Sequence, residues 1–196
     1  MLCDLTNGER GAVFLDRDGV INRNRPDYVR RWDQFEFLPG ALEALRVLAR
    51  ENLPVLVVSN QSAVGRGLMS ERDLDEINAR MQEVVTAVGG RIDSTYCCPH
   101  APEEGCVCRK PAPGLLLRAT RSFGVDLGRS CLVGDSVVDM LAAREVGIAS
   151  VLVLTGRGRE ALVDPRLRDC PVTYIAADLR ESVHWLLHEG RSWLWP

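Results

Sequence analysis

The sequence lacks any hydrophobic run long enough to cross a membrane, and its opposite charges nearly balance. The 196 residues carry a formal net charge of -3 at pH 7, which gives no reason to expect a broad surface for nucleic acid. The first ten residues have neither the basic flank nor the apolar centre of a secretion signal. These absences argue against a membrane span. They lead us to expect a cytoplasmic protein that binds neither membrane nor nucleic acid.

Several cysteines of this chain cluster in one short segment. Seven cysteines are present, and in the cytoplasm they should stay reduced unless they bind metal. Cys98, His100, Cys106 and Cys108 lie in one short segment, and three thiolates with one imidazole match a tetrahedral zinc site. Because four protein ligands leave no open position on the ion, we expect a structural zinc ion. The alternative, a disulfide, is disfavoured by the compartment.

Short apolar segments alternate with amphipathic segments along the chain. The apolar runs predict strands at Ala12–Leu15, Val55–Val58, Arg91–Cys97, Cys131–Asp135 and Ser150–Leu154. Helical spacing predicts helices from Pro39 to Asn52, from Ser70 to Val88, from Pro113 to Phe123 and from Met140 to Val146. Repeated β-α-β units imply an α/β fold, a mostly parallel sheet with helices on both sides. We predict one domain over residues 1–196, with a core at about 11–160 and a C-terminal extension at about 161–196.

Two carboxylates lie two residues apart at the end of the first predicted strand, at Asp16 and Asp18. Residues i and i+2 of an extended segment point to the same face. Two charges about 5 to 6 Å apart then repel by about 3 kcal/mol at an effective dielectric constant of about 20. A positive partner must offset this repulsion, or one acid must keep its proton. Either answer indicates a functional site.

Other polar residues follow the other predicted strands. Ser59 and Asn60 end the second strand, Asp135 ends the fourth, and Arg109 and Lys110 are expected to open the helix between the third and the fourth. Sites in such sheets lie beyond the carboxyl ends of the strands, so these residues should meet at one edge. The set suits Mg²⁺ and a phosphoryl group, because Mg²⁺ prefers oxygen ligands and phosphate needs compensating positive charge. The metal would then cancel the repulsion between the paired acids.

Four segments resemble, in order, the motifs of the haloacid dehalogenase (HAD) superfamily of phosphohydrolases: F-L-D-R-D-G, V-V-S-N-Q-S, C-R-K-P and V-G-D-S-V-V-D. The closer resemblance is to the D-glycero-D-manno-heptose 1,7-bisphosphate 7-phosphatases and their relatives, the histidinol-phosphate phosphatases. N-Q-S-A-V-G-R-G resembles the N-Q-S-G-I-x-R-G of the heptose enzymes. The resemblance covers about Ala12 to Leu154 and implies a Rossmann-like, three-layer αβα HAD fold. The short gaps between motifs indicate a capless enzyme whose open site can admit a bulky sugar phosphate.

The resemblance implies a catalytic role for each matching residue. Asp16 would be the nucleophile that forms an aspartyl-phosphate, and Asp18 would be the general acid and base. Ser59 and Lys110 would hold the phosphoryl oxygens, with the lysine stabilising charge in the transition state. The positions that meet substrate would be Asn60, Gln61, Ser62 and Arg109.

Two metal sites are also implied. Mg²⁺ would bind the Asp16 carboxylate, the Asp18 backbone carbonyl and the Asp135 carboxylate, and Asp139 would support this site from outside. The heptose phosphatases carry a similar C-x-H…C-x-C loop. Because two cations directly follow the last of these cysteines, a rigid zinc loop would fix where they point.

Several alternatives remain open from the sequence alone. The substrate could instead be histidinol phosphate or another small sugar phosphate, and Ser136 stands where a basic residue often follows the motif-four acid. A zinc-containing phosphoacceptor or interaction domain without turnover is the alternative from another class. Arg66 could bind a second phosphate or be simply exposed, and the loop with Arg157 and Arg159 could lie near the site or in solvent. We expect a monomer, with a tryptophan-rich tail of unassigned role and an amphipathic end helix that carries the two remaining histidines.

Overall fold

The central feature of the fold is a six-stranded parallel sheet, seen in a computed structural model that describes residues 10–190. The strands lie in the order β3-β2-β1-β4-β5-β6, and every neighbouring pair is parallel. Their bounds are β1 Val13–Leu15, β2 Val55–Asn60, β3 Ser94–Cys98, β4 Cys131–Gly134, β5 Ala149–Val153 and β6 Tyr174–Ala176. This arrangement confirms the predicted parallel α/β sheet.

Helices cover both faces of the sheet and complete the three layers. Their bounds are α1 Ala41–Arg50, α2 Glu71–Ala87, α3 Gly114–Phe123, α4 Val137–Val146, α5 Gly158–Ala161 and α6 Leu179–His188. The buried faces of α1, α2 and α6 pack in one apolar cluster, and those of α3 and α4 pack in a second. Within this part of the chain, no helix is both long and apolar enough to span a membrane.

Strand β1 joins the two apolar clusters because its side chains alternate between the faces of the sheet. Val13 and Leu15 belong to the cluster on one face, and Phe14 belongs to the cluster on the other. All three side chains are fully buried. Burying one such side chain contributes about 1.5–3 kcal/mol. The central strand therefore needs no polar position until it ends, at the first of the two paired acids.

Local sequence signals set several helix ends. Ser70 caps α2, since its hydroxyl accepts from the Asp73 amide at 3.1 Å and the Asp73 carboxylate accepts from the Ser70 amide at 3.0 Å. Gly89, with φ of 78°, follows the end of this helix. Helix α4 begins at Val137 rather than at Met140, because Ser136 and Asp139 form a second capping box.

Other elements also differ from what the sequence predicts. Arg109 and Lys110 do not open α3, because the Asn60 side chain holds the Lys110 backbone in the preceding turn by two 3.0 Å hydrogen bonds. Strand β3 begins at Ser94, because the Asp93 side chain instead accepts from the Val55 amide. Strand β6, within the predicted C-terminal extension, adds to the main sheet and was not predicted.

The last helix confirms the amphipathic interpretation of the two C-terminal histidines. His184 and His188 lie on its exposed side, and Val183 and Leu186 are buried on the other. The tryptophan-rich tail R-S-W-L-W-P lies outside the described residues.

Candidate active site

A cavity of about 320 Å³ opens at the carboxyl ends of β1, β2 and β4. Val13 pairs with Val55 on one side and with Cys131 on the other, so the three strands end side by side. The predicted site residues that line the cavity are Asp16, Asp18, Asn60, Gln61, Ser62, Arg66, Arg109, Lys110, Asp135 and Arg157. Ser59, Asp139 and Arg159 are not among its lining residues. The sheet register thus assembles most of the predicted site.

Asp16 lies directly after β1 and keeps about an eighth of its side chain exposed, 13%. Its Oδ1 accepts a hydrogen bond from the Arg17 amide at 2.7 Å and lies 3.1 Å from Lys110 Nζ. Burial raises the pKa of Asp16 to about 6, against the opposing effect of Lys110, and the neighbouring acids Asp139 and Asp18 raise it further. A buried carboxylate with one oxygen already bonded leaves its second oxygen for a reacting partner.

Lys110 is the cation at the centre of this cluster. Its Nζ lies 2.6 Å from Asp139 Oδ1 and donates to the Val58 carbonyl at 2.7 Å, in addition to its contact with Asp16. Burial by itself would lower the pKa of Lys110, but the attraction of Asp139 and Asp16 outweighs it and raises the pKa. The ammonium group is therefore charged and held in place by three oxygens.

Asp135 follows β4, lines the same cavity as Asp16, and has a carboxylate oxygen within 4.8 Å of one of Asp16. Burial raises its pKa to about 8, with the charges of Asp16 and Asp139 adding to the effect, while a hydrogen bond from the Arg157 amide opposes it. Two glycines allow the chain to approach this carboxylate closely. A Cβ atom on Gly19 or on Gly156 would lie 2.0 Å from Asp135 Oδ2, and both glycines have positive φ, 89° and 52°. No larger residue fits either position without displacing the acid.

Asp16, Asp135 and Asp139 each offer a carboxylate oxygen, and these oxygens lie within 4.8 Å of one another. Three carboxylates around one lysine leave an excess of negative charge, which fits a hard divalent cation with oxygen ligands. Asp139 is fully buried, and Ser136 donates to its Oδ2 from both its hydroxyl and its backbone amide. With Lys110 at its other oxygen, Asp139 has fewer free lone pairs for a metal than Asp16 and Asp135.

The second acid, Asp18, has a separate set of partners. Arg17 Nη2 donates to Oδ2 at 2.9 Å and to Oδ1 at 3.2 Å, Asn22 Nδ2 donates to Oδ1 at 2.8 Å, and Gln61 Nε2 donates to Oδ2 at 2.7 Å. The sequence reasoning missed Arg17 and Asn22. A signal for Arg17 was present, because a residue between two acids that share a face must point the other way, into the protein.

The residues at the end of β2 mainly hold other site residues in place. Ser59 is 1% exposed, and its hydroxyl accepts from Gln61 Nε2 at 3.0 Å. Asn60 binds the Lys110 backbone through both ends of its amide. Ser62 is buried at the cavity wall. The segment after β2 therefore connects the lysine, the acid Asp18 and the cavity wall.

Several arginines surround the mouth of the cavity. Arg109 Nη1 donates to the His100 carbonyl at 3.3 Å, and Arg66 forms an exposed ion pair with Glu103 at 3.2 Å. Arg25, which the sequence reasoning did not select, lines the cavity and pairs with Asp27 at 3.0 Å. Arg157 also lines the cavity. These arginines place guanidinium groups around the cavity, where they can meet an anionic substrate.

The four predicted zinc ligands come together between β3 and α3. The sulfur atoms of Cys98, Cys106 and Cys108 lie 3.2 to 3.5 Å apart, too far for a disulfide at about 2.05 Å. His100 Nδ1 lies 3.5 Å from Cys98 Sγ and 3.3 Å from Cys108 Sγ. Zinc bonds of about 2.3 Å to sulfur and about 2.0 Å to nitrogen require tetrahedral edges only slightly longer than these. The donor set and its spacing therefore fit zinc.

Comparison with known proteins agrees with this geometry. A family profile for HAD-hydrolase-like proteins matches residues 107–182. The chain is 38% identical over 178 residues to the D-glycero-beta-D-manno-heptose-1,7-bisphosphate 7-phosphatase of Bordetella bronchiseptica. This alignment covers 91% of this chain and 98% of that protein. It is 41% identical over 156 residues to the enzyme of the same name from Pseudomonas aeruginosa, covering 80% of this chain and 88% of that protein.

A solved structure gives the same relationship. The crystal structure of D,D-heptose 1,7-bisphosphate phosphatase from B. bronchiseptica, complexed with magnesium and phosphate, superposes with a TM-score of 0.86 at 37% identity. The match covers 91% of this chain and 99% of that chain. These relatives are phosphatases, so the enzymatic interpretation is confirmed over the non-enzymatic alternative. The chain belongs to the D-glycero-D-manno-heptose 1,7-bisphosphate 7-phosphatase family of HAD phosphatases.

Proposed function

We propose that this chain removes the 7-phosphate of D-glycero-D-manno-heptose 1,7-bisphosphate through an aspartyl-phosphate on Asp16. The observation that carries the proposal is the contact between Asp16 and Lys110 at the cavity wall, 3.1 Å apart. It occurs in a chain whose relatives, named for this reaction, match it over most of their length. A nucleophilic carboxylate beside a fixed cation is what phosphoryl transfer to an aspartate requires.

The first step joins the substrate phosphorus to Asp16. Oδ1 of Asp16 is held by Lys110 and by the Arg17 amide, so we assign the attack to Oδ2. The new O–P bond forms as the bond from phosphorus to the sugar oxygen breaks, and Asp18 gives its proton to that oxygen. In the second step water attacks the phosphorus, Asp18 takes the proton from the water, and the Asp16–phosphorus bond breaks to release phosphate.

Magnesium is the cofactor that HAD phosphatases use, and the acid cluster fits it. We assign its ligands to the carboxylates of Asp16 and Asp135 and to the Asp18 backbone carbonyl. When bound, the ion would offset the negative charge that the acids and the phosphoryl group bring together. Asp139 would act through Lys110, whose ammonium it holds at 2.6 Å.

The remaining contacts are assigned as follows. Lys110 would hold a phosphoryl oxygen directly, and the predicted phosphoryl contact of Ser59 remains a prediction, since Ser59 lies beneath the cavity wall. The substrate contacts are assigned to Asn60, Gln61, Ser62 and Arg109. Zinc would hold the loop that carries Arg109, whose guanidinium already bonds the His100 carbonyl.

We further propose a cytoplasmic enzyme that works as a monomer. Asp16, Asp18, Lys110 and Asp135 line one cavity within a single chain, so no second copy is needed to complete the site. The thiol ligands of the zinc loop require a reducing compartment to stay available for metal.

A substrate panel tests the assignment. Initial rates of phosphate release should be measured with D-glycero-D-manno-heptose 1,7-bisphosphate, histidinol phosphate, glycerol 3-phosphate and p-nitrophenyl phosphate. We expect kcat/KM for the heptose bisphosphate to exceed that for the other esters by at least about 100-fold. A higher kcat/KM for histidinol phosphate would contradict the substrate assignment but leave the phosphatase chemistry intact.

A further inference from the structure

Arg17 is the largest fully buried side chain of the described residues that carries a charge, with no exposed surface. Its Nη2 donates to both oxygens of Asp18 and, at 3.1 Å, to Gln61 Oε1. Its Nη1 donates to Asn78 Oδ1 at 3.2 Å, on helix α2. The guanidinium also lies over the Phe35 ring, 5.9 Å from the ring centre. One side chain therefore links the loop after β1, the segment after β2 and a helix of the outer layer.

A buried guanidinium is costly unless its charge and its donors are matched. An apolar residue could fill the same volume without that cost, so packing alone gives no reason for an arginine here. The arginine instead determines the orientation of the Asp18 carboxylate. One guanidinium nitrogen, Nη2, bonds both oxygens of Asp18 and so restricts where this carboxylate points, while 21% of the Asp18 side chain remains exposed.

We propose that Arg17 is a positioning residue that holds the Asp18 carboxyl group against the leaving oxygen of the substrate. Gln61 completes the arrangement, since its amide accepts from Arg17 and donates to the same Asp18 oxygen at 2.7 Å. Asn78 and Phe35 hold the guanidinium from behind. The inference rests on the proposed role of Asp18 as general acid and adds the group that aims it.

Displacement of the Asp18 carboxyl group should slow substrates to different degrees, whereas a general loss of structure should slow all substrates alike. Protonation of the leaving oxygen matters for an alkyl phosphate, because an alkoxide is a poor leaving group. It matters little for p-nitrophenyl phosphate, whose phenolate leaves without a proton. The ratio kcat/KM reports the steps up to the first irreversible one, which includes cleavage of this bond. A positioning role for Arg17 therefore predicts a loss that depends on the leaving group.

The experiment compares Arg17→Met, Asp18→Asn and the unchanged enzyme on the heptose bisphosphate and on p-nitrophenyl phosphate. For Arg17→Met we expect kcat/KM to fall about 100-fold on the sugar phosphate and by less than about 5-fold on the aryl phosphate. Asp18→Asn should show the same selectivity with a larger loss. Arg91→Met is the matched control, because Arg91 also makes several hydrogen bonds, to Asp93, Asn52 and the Leu53 carbonyl, at the opposite end of the sheet. It should leave both kcat/KM values unchanged.

Two outcomes separate this inference from the function on which it rests. If Asp18→Asn is selective and Arg17→Met lowers both values equally, the positioning role is wrong and the proposed function stands. If Asp18→Asn shows no selectivity, its acid role fails and the inference fails with it. Should Arg17→Met not fold, Arg17→Lys and Asn78→Leu carry the test, because neither removes a residue of the cavity wall. Each should give a selective loss of about 5- to 20-fold on the sugar phosphate, and equal losses on both esters would overturn the inference.

Discussion

The described residues contain two clusters of side chains that could hold a metal ion, and the two are built in opposite ways. The acid cluster combines Asp16 with Asp135 and Asp139, which lie about 120 positions further along the chain and meet it because β1 and β4 are paired in register. The zinc loop draws all its ligands from residues 98–108, a segment that starts at the last residue of β3 and otherwise contains only one short turn. The first cluster is shaped by the sheet, whereas the second depends on its own ligands to shape a loop.

The two clusters also differ in how their charge is balanced. Each acid of the D-R-D segment has its own cation, since Asp16 contacts Lys110 and Asp18 contacts Arg17. The repulsion noted from the sequence is thus offset by the chain itself before any metal binds. The thiols of the zinc loop contact mainly one another and His100. We therefore expect the acid cluster to keep its geometry without metal and the zinc loop to lose it.

The largest expected effect comes from the nucleophile in the acid cluster. Asp16→Asn removes the attacking oxygen and should lower kcat by at least about 10⁴-fold, while zinc content and melting temperature stay near those of the unchanged protein. Phosphate release, metal analysis and thermal unfolding measure the three quantities. Asp33→Asn, at an exposed acid paired with Arg31, is the control and should change none of them. Full activity of Asp16→Asn would refute the aspartyl-phosphate mechanism.

A second prediction tests whether the sheet sets the geometry of the acid cluster. Gly19→Ala adds a methyl group that would lie 2.0 Å from Asp135 Oδ2, so the acid must move. We expect a loss of kcat/KM of about 100-fold without loss of zinc. Gly89→Ala is the matched control, because its φ of 78° is similarly strained but no atom lies within 4 Å of the added carbon. Positive φ alone should cost each variant about 1–2 kcal/mol of stability, and equal activities in the two would show that close approach to Asp135 is unimportant.

A third prediction addresses the zinc loop. Cys106→Ser should release zinc, as measured by elemental analysis of the purified protein. It should also lower kcat/KM for the sugar phosphate by about tenfold, because Arg109 loses the fixed His100 carbonyl that it bonds at 3.3 Å. Cys170→Ala, at a buried cysteine packed in a separate apolar cluster, should retain zinc and activity. A zinc-free variant with unchanged kcat/KM would separate the loop from substrate recognition.

The contrast between the acid cluster, assembled by the sheet, and the zinc loop, built from one segment, explains how much could be predicted from the sequence. The acids at 16 and 135 were predicted to meet because parallel strands end at one edge, and the zinc ligands were predicted from spacing within a single segment. The α2 capping box was equally accessible, since Ser70 and Asp73 are three residues apart. Each of these inferences uses either local spacing or a general rule about sheets.

What escaped prediction depends on particular contacts between distant residues. The role of Arg17 requires Asn78, sixty-one positions along the chain, and no local pattern links the two. Lys110 does not begin α3 because its backbone bonds the side chain of Asn60, which lies fifty positions earlier in the chain. Strand β6 has three residues of which one is buried, so it lacks the apolar run that predicts a covered strand.

The smallest expected effect is a pH dependence confined to the acid cluster. Without bound magnesium, burial raises the pKa of Asp135 to about 8 and that of Asp16 to about 6, from 3.8 in both cases. Between about pH 4 and pH 8 the folded protein therefore binds more protons than the unfolded chain. Its stability falls as the pH rises through the folded-state pKa values of Asp16 and Asp135. In a chelator, the melting temperature should therefore fall between about pH 5 and pH 8.5.

Asp135→Asn should remove the upper part of that slope, because its amide does not titrate. Saturating magnesium should oppose the slope in the unchanged protein, since the ion binds the deprotonated carboxylates of the folded state. Thermal unfolding across the pH range, in chelator and in magnesium, measures both effects. A slope above about pH 7 that persists in Asp135→Asn would have to come from groups other than Asp135. The zinc loop should affect the melting temperature equally in the unchanged protein and in Asp135→Asn. The difference between their two pH slopes therefore reports on the acid cluster alone.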